Sequence, residues 1–171
     1  MKQIIGGVIY LCIAALPGFA QADEQLYLQT GALLRPSGDS FPNDIEAGLA
    51  YSLPWQWNDG RLTSKLDIGL GFTDSKSSHS LRAIVMPLLH YQTASSGVFV
   101  EAGIGLAYLS NSQWGSRHDL GSHLQFEQRL GIGYDFGNYD LSLNITHLSN
   151  GGLKDPNPGA ETASVRFAHN F

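Results

Sequence analysis

The sequence predicts an all-β protein, an eight-stranded antiparallel transmembrane β-barrel of the outer-membrane type. Three observations predict it. Apolar and polar residues alternate with period two along the whole chain after residue 22, helical spacing with capping signals is hard to find there, and aromatic residues gather near the ends of the alternating segments. Successive strand side chains point to opposite faces, so each segment presents one apolar and one polar face. A soluble sandwich alternates as well. Segments of about nine to thirteen residues, the length of a tilted bilayer-crossing strand, together with the aromatic ends, favour the barrel.

The first twenty-two residues stand apart. Met1-Lys2 opens a short basic segment, Ile4 to Leu16 is largely apolar, and Ala20-Gln21-Ala22 places small residues where a signal peptidase reads them. Residues 1–22 are therefore expected to be a secretory signal peptide, with the barrel occupying 23–171. The only cysteine, Cys12, leaves with that peptide, so the mature chain has neither disulfides nor thiolate chemistry. The net charge of -5 has no basic patch behind it, which argues against nucleic acid as a partner. After residue 22 no apolar run is long enough for a membrane-spanning helix, so a membrane protein here has to be a barrel.

The strands can be read in order. Leu26, Leu28, Thr30, Ala32 and Leu34 form a weakly apolar face opposite Tyr27, Gln29 and Gly31. Ile45, Ala47, Leu49, Tyr51, Leu53 and Trp55 alternate with Asp44, Glu46, Gly48, Ala50 and Ser52. Leu66, Ile68, Leu70 and Phe72 oppose Lys65, Asp67, Gly69 and Gly71. The fourth segment is less regular: Leu81, Ala83, Val85, Pro87, Leu89 and Tyr91 stand against Arg82, His90 and Gln92, and Pro87 weakens it as a strand. Val98 to Tyr108 sets Val100, Ile104 and Leu106 against Glu101, Gly103 and Gly105; Leu124 to Phe136 sets Leu130, Ile132 and Tyr134 against His123, Gln125, Glu127 and Arg129. Tyr139 to Ser149 and Glu161 to Phe171 complete eight. The polar face carries both signs, as in a small barrel filled by side chains and water. Aromatics from Tyr27, Tyr51, Trp55 and Trp57 to Tyr134, Phe136 and Tyr139 suit an interfacial girdle.

Chemistry concentrates in the last twenty-five residues. In the seventh strand the apolar positions Tyr139, Leu141, Leu143 and Ile145 are continued by His147 and Ser149, and in the eighth Glu161 shares a face with Ala163, Val165 and Phe167. An even strand number leaves both termini in the periplasm, so these three residues lie at the extracellular rim, facing lipid. A serine hydroxyl becomes a nucleophile when a base takes its proton, and a histidine base works best when a third group fixes its tautomer. Residues two apart on a strand lie roughly 6.5 to 7 Å apart on one face, within reach of a leaning imidazole. The loop from Asn150 to Gly159 offers oxyanion donors in the backbone amides around Gly151 and in the side chains of Asn150 and Asn157. The bland counterpart is a polar strand end with Asn-Gly-Gly and Pro-Asn-Pro-Gly as turn chemistry. His79, His90, His118, His123 and His169 lack a matching serine and carboxylate; His123 and Glu127 share a face that reads as luminal. No set of convergent ligands suggests a metal, and the chemistry requires no cofactor.

The run Thr146-His147-Leu148-Ser149-Asn150, followed by Asn157-Pro158-Gly159 and Glu161, resembles the C-terminal motif of the PagL family of outer-membrane lipid A 3-O-deacylases. Signal peptide, barrel size and terminal aromatic fit that family along the chain, although only the last twenty-five residues are specific; Leu148 and the Gly151-Gly152 pair are mild departures. The resemblance implies His147 as base, Ser149 as nucleophile, Glu161 as orienting acid, and Asn150 and Asn157 as helpers at the oxyanion. It implies a serine esterase that removes the 3-hydroxyacyl chain from the 3-position of lipid A in the bacterial outer membrane, with lipopolysaccharide as its substrate. Phe171 resembles the terminal signal that the barrel-assembly machinery reads. Polar residues on the lipid-facing rim equally suit contact between two copies of the chain. The other readings are a non-enzymatic structural or adhesive barrel, against which the modest outer loops speak, and an acyltransferase, which would pass the acyl group to another acceptor.

Overall fold

The structure, a computed structural model, describes residues 24–34, 43–93 and 96–171. The expected signal peptide and most of the first outer loop lie outside the described residues. Eight strands, β1 (Glu24–Leu33), β2 (Asn43–Trp57), β3 (Leu62–Asp74), β4 (His79–Gln92), β5 (Val98–Leu109), β6 (Leu124–Asp135), β7 (Tyr139–Ser149) and β8 (Ala160–Asn170), pair in chain order and close β1 onto β8. Every pairing is antiparallel. Closure leaves no sheet edge, which is what a polypeptide in hydrocarbon requires, since nothing there can satisfy an unpaired backbone amide. Tight connections join β2 to β3, β4 to β5 and β6 to β7; at the other, extracellular end β3 to β4 is equally short, and the β5–β6 and β7–β8 connections are long.

The outward face is the apolar one. Leu70 is 71% exposed, Ile104 64% and Leu143 62%, values that a water-soluble sheet would not tolerate over a continuous band. The lumen carries the charge. Arg82 donates to Asp44 and Glu46 at 2.8 Å each; Arg129 reaches Asp67 at 2.8 Å, Glu46 at 3.0 Å and Glu127 at 3.1 Å; Arg166 pairs with Asp67 and lies 3.8 Å over the Tyr27 ring. Nearer the periplasm His90 and Lys65 share Glu101. Such charges persist away from bulk water because each has a partner of opposite sign.

Three features differ from the sequence expectation. The lumen is not polar throughout: Leu33, Ile84, Met86, Leu109, Trp114, Leu120 and Leu148 form an apolar plug at its extracellular end. The reason is visible in β4, whose run Ala83 to Leu89 is apolar on both faces because one faces lipid and the other faces the plug. Pro87 does not end that strand; it faces outward opposite Leu66, and the β4–β5 register is interrupted only between Val85 and Leu88. Tyr27 leaves the proposed girdle, pointing inward to donate to Glu46 at 2.8 Å. Tyr134, Phe136, Tyr139 and Phe167 do form a chain of ring contacts at the periplasmic rim.

Candidate active site

The register of β7 on β8 places His147 directly opposite Glu161, and on the other side β6 presents Gln128 opposite His147 and Phe126 opposite Ser149. Antiparallel pairing thus brings together residues fourteen apart in sequence at the extracellular rim. The imidazole Nδ1 lies 3.3 Å from Glu161 Oε1, and both side chains are about one-third exposed, 38% and 30%. A proton on Nδ1 shared with that carboxylate leaves the Nε2 lone pair free, the tautomer a general base needs. Gly159, with φ of +68°, closes over the ring: a Cβ there would lie 2.8 Å from Cε1 of His147, so only glycine leaves the imidazole its place.

Ser149 occupies the same outward face two residues on, and among the described residues no hydrogen bond joins its hydroxyl to His147. Such bonds are often long before substrate binds. The two asparagines are not equivalent. Asn150 is fully buried, and its amide N–H groups are shared among the carbonyls of Lys154 at 2.7 Å, Leu120 at 3.0 Å and Pro156 at 3.2 Å, while its Oδ1 accepts from the Gly152 N–H. It therefore has no N–H to offer a substrate, and the expectation that its side chain donates to an oxyanion is corrected. Asn157 is exposed, and its Oδ1 accepts from the Asn150 N–H at 3.0 Å, which fixes the amide orientation and leaves Nδ2 without a partner among the described residues. The Gly152 and Leu153 amides are also engaged, while the Gly151 N–H has no partner among the described residues.

Two apolar grooves in the lipid-facing wall meet below His147. One, of about 720 Å³, runs from Trp55 and Trp57 past Pro87 and Ile104 to His147; the other, of about 790 Å³, lies against Ala32, Ala163 and Val165, and both touch Leu130 and Ile145. A polar cavity of about 550 Å³ opens at the periplasmic end beside Lys65, His90 and Asp140 and does not reach these residues. Gln128 is the residue that sequence reading passed over. It is a polar side chain on an otherwise apolar outward face, a signal that the alternation of β6 contained.

Three of the other five histidines have partners away from this site. His79 pairs with Asp74, His90 with Glu101, and His123 bonds the Leu109 carbonyl and stacks on Tyr108. His123 is thus exposed at the rim and not luminal beside Glu127, because it precedes the first residue of β6 and strand alternation does not govern it. Among the described residues no group of histidine, cysteine and carboxylate side chains could hold a metal.

A family model described as lipid A 3-O-deacylase (PagL) matches residues 45–170, most of the barrel and all of the site. The chain belongs to the PagL family. It is 39% identical over 120 residues to the lipid A deacylase PagL of Pseudomonas aeruginosa, covering 66% of this chain and 68% of that one. It is 28% identical over 134 residues to the lipid A deacylase PagL of Bordetella bronchiseptica, covering 72% and 74%. A crystal structure of the outer membrane enzyme PagL superposes with a TM-score of 0.74 at 31% identity, over 86% of this chain and 99% of that one. The N-terminal barrel of OprF from Pseudomonas aeruginosa superposes at a TM-score of 0.53 and 14% identity, over 88% of this chain and all of that one, which shows the shared barrel alone. Membership of the PagL family makes this an ester hydrolase of the outer membrane and decides against the non-enzymatic reading.

Proposed function

We propose that the chain performs the family's reaction, removal of the 3-O-linked hydroxyacyl chain of lipid A, by a serine mechanism in which Ser149, His147 and Glu161 are the catalytic residues. The observation that carries this reading is the His147–Glu161 contact at 3.3 Å with Ser149 on the same face at the outer rim. An outer-leaflet glycolipid presents its acyl esters just below the headgroup, at the height of these residues, so the ester meets the serine without leaving the leaflet. The acyl chain would lie in the apolar wall beneath His147.

His147 Nε2 takes the Ser149 proton as Oγ attacks the ester carbonyl carbon. The tetrahedral oxyanion then receives hydrogen bonds from the Gly151 N–H and from Asn157 Nδ2, two loop donors without a partner among the described residues. Glu161 holds the imidazolium formed at that moment. Collapse expels the sugar oxygen, which takes the proton back from His147, and leaves the acyl group on Ser149. A water molecule deprotonated by His147 then attacks the acyl-enzyme, releasing the free 3-hydroxy fatty acid and restoring the serine.

Mass spectrometry of lipid A from outer membranes carrying the wild-type chain or Ser149→Ala tests this, with free fatty acids collected from the same samples. Loss of one hydroxyacyl chain with wild type only, matched by free 3-hydroxy acid, is the expected result. Full deacylation by a folded Ser149→Ala barrel would sink the serine mechanism. Appearance of the acyl group on a second lipid, in place of free acid, would make the reaction a transfer.

A further inference from the structure

The loop that carries Asn150, Gly151 and Asn157 does not stand on its own. Its underside rests on the β5–β6 connection, residues 110–123, which folds into the barrel mouth and buries Trp114 and Leu120 in the apolar plug. The contact is specific. The Leu120 carbonyl accepts from Asn150 Nδ2 at 3.0 Å and is itself held from β6 by Gln125 Nε2 at 3.3 Å. Next to it, Gly121 adopts φ of +75°, and the Pro156 carbonyl occupies the space where a side chain would begin: a Cβ on residue 121 would overlap that oxygen and stand 3.2 Å from Asn150 Nδ2. The Gly121 N–H donates to Asp119 Oδ1 at 2.8 Å, and Ser112 braces the same oxygen at 2.9 Å.

We propose that Gly121 is a positioning residue for the deacylation, the seat that sets the height of the Asn150–Gly159 loop and through it the aim of the oxyanion donors at Ser149. This rests on the serine reading of the site. The chain of contact is short. Gly121 meets Pro156, the neighbour of Asn157; Asn150 ties Leu120, Lys154 and Pro156 together and orients Asn157 through its own backbone N–H. Lifting the Pro156 carbonyl by even a few tenths of an ångström therefore moves Asn157 and the Gly151 turn while His147 and Glu161, anchored in paired strands, stay in place. The sensitive quantity is the transition-state contact to the oxyanion, so turnover falls and substrate affinity does not.

The experiment is steady-state deacylation of lipid A in mixed micelles by the full mature barrel, comparing wild type with Gly121→Ala and Gly137→Ala. Gly137 has φ of +94° in the β6–β7 turn at the periplasmic end, and a Cβ there meets nothing within 4 Å, so its alanine variant imposes comparable backbone strain without the clash. Gly121→Ala should lower kcat roughly ten- to hundredfold with KM within about twofold of wild type, while Gly137→Ala keeps wild-type turnover and loses only thermal stability. Wild-type kcat in a folded Gly121→Ala barrel overturns the proposal, and so does an equal fall in kcat for Gly137→Ala. Should Gly121→Ala not give the heat-modifiable folded form, Asp119→Ala carries the test: it removes the acceptor that holds the Gly121 N–H and the Ser112 hydroxyl and adds no atom against Pro156, and a lower kcat at constant KM supports the proposal where unchanged kcat overturns it. Ser149→Ala run alongside separates the two layers. Its full activity would retire the serine reading, whereas an inactive Ser149→Ala beside a fully active Gly121→Ala retires the seat alone.

Discussion

Asn150 and Asn157 carry the same side chain into opposite duties, and burial decides which is which. A buried amide must satisfy every N–H it has, and Asn150 does so on three backbone carbonyls; an exposed amide held by its oxygen alone, as Asn157 is, keeps its N–H groups for a ligand. Asn157→Ala is thus expected to lose turnover by about a hundred- to a thousandfold, the scale of one oxyanion donor, with the thermal unfolding of the barrel unchanged. Asn150→Ala strands those carbonyls and should open the loop, seen as new proteolytic cleavage between residues 150 and 159 together with lost activity. A neutral Asn157→Ala would leave the Gly151 amide as the oxyanion donor. The grouping of His147, Ser149 and Glu161 was legible in the sequence because strand parity is a strict rule: the three break an apolar face at positions that parity alone identifies. The division between the two asparagines was not, since nothing local to Asn150 announces that Leu120, thirty residues earlier, supplies its acceptor.

At the scale of elements, the β5–β6 connection reads in sequence as an exposed loop of serines, asparagines and glycines, and the structure turns part of it inward. Two apolar residues, Trp114 and Leu120, are the signal for that turn, yet an isolated tryptophan between polar residues has no period by which to assign a face. The strands were legible where one face met lipid and the other met charge, as in β3; β4 was harder because lipid on one side and the plug on the other make both faces apolar. The loop also carries a pH signature. The Gly121 N–H, then the Ser112 hydroxyl, hold the Asp119 carboxyl below its ordinary value of 3.8 against the effect of burial, with smaller help from the charges of Lys154 and His118. A depressed carboxyl stabilises the folded loop fully above its unfolded value and loses that contribution as pH falls from there through the folded one. Amide exchange at Gly121 should therefore stay slow from neutral pH down to 3.8 and quicken below it. Opening already well above that value would remove Asp119 from the control.

For the whole molecule, the barrel inverts the ordinary arrangement of a soluble protein, with charge inside and hydrocarbon-compatible side chains outside, and its stability depends on each luminal cation keeping its carboxylate partners. Arg129 is the centre of that balance, bound to Glu46, Asp67 and Glu127 at once. Arg129→Met leaves carboxylates without their cation and should lower the urea stability of the folded barrel by about 3 to 5 kcal/mol, the usual cost of breaking a buried pair from one side; an unchanged midpoint would mean that the luminal carboxylates are not ionised together. The outside makes a different demand, since a chain with this much exposed apolar surface has to be inserted before it aggregates. Phe171 bears on that step. Its backbone N–H reaches the Glu24 carbonyl at 3.1 Å, which any residue could do, while its ring is 60% exposed and adds little packing to the finished barrel. An exposed aromatic that the folded state hardly uses is expected to matter before folding ends, in the step by which assembly machinery selects the chain. Phe171→Ala should then reduce the amount of heat-modifiable barrel recovered from outer membranes, with turnover per folded molecule equal to wild type and refolding from urea into detergent unimpaired. Equal recovery from membranes would remove the terminal ring from assembly, and impaired refolding in detergent would return its role to packing.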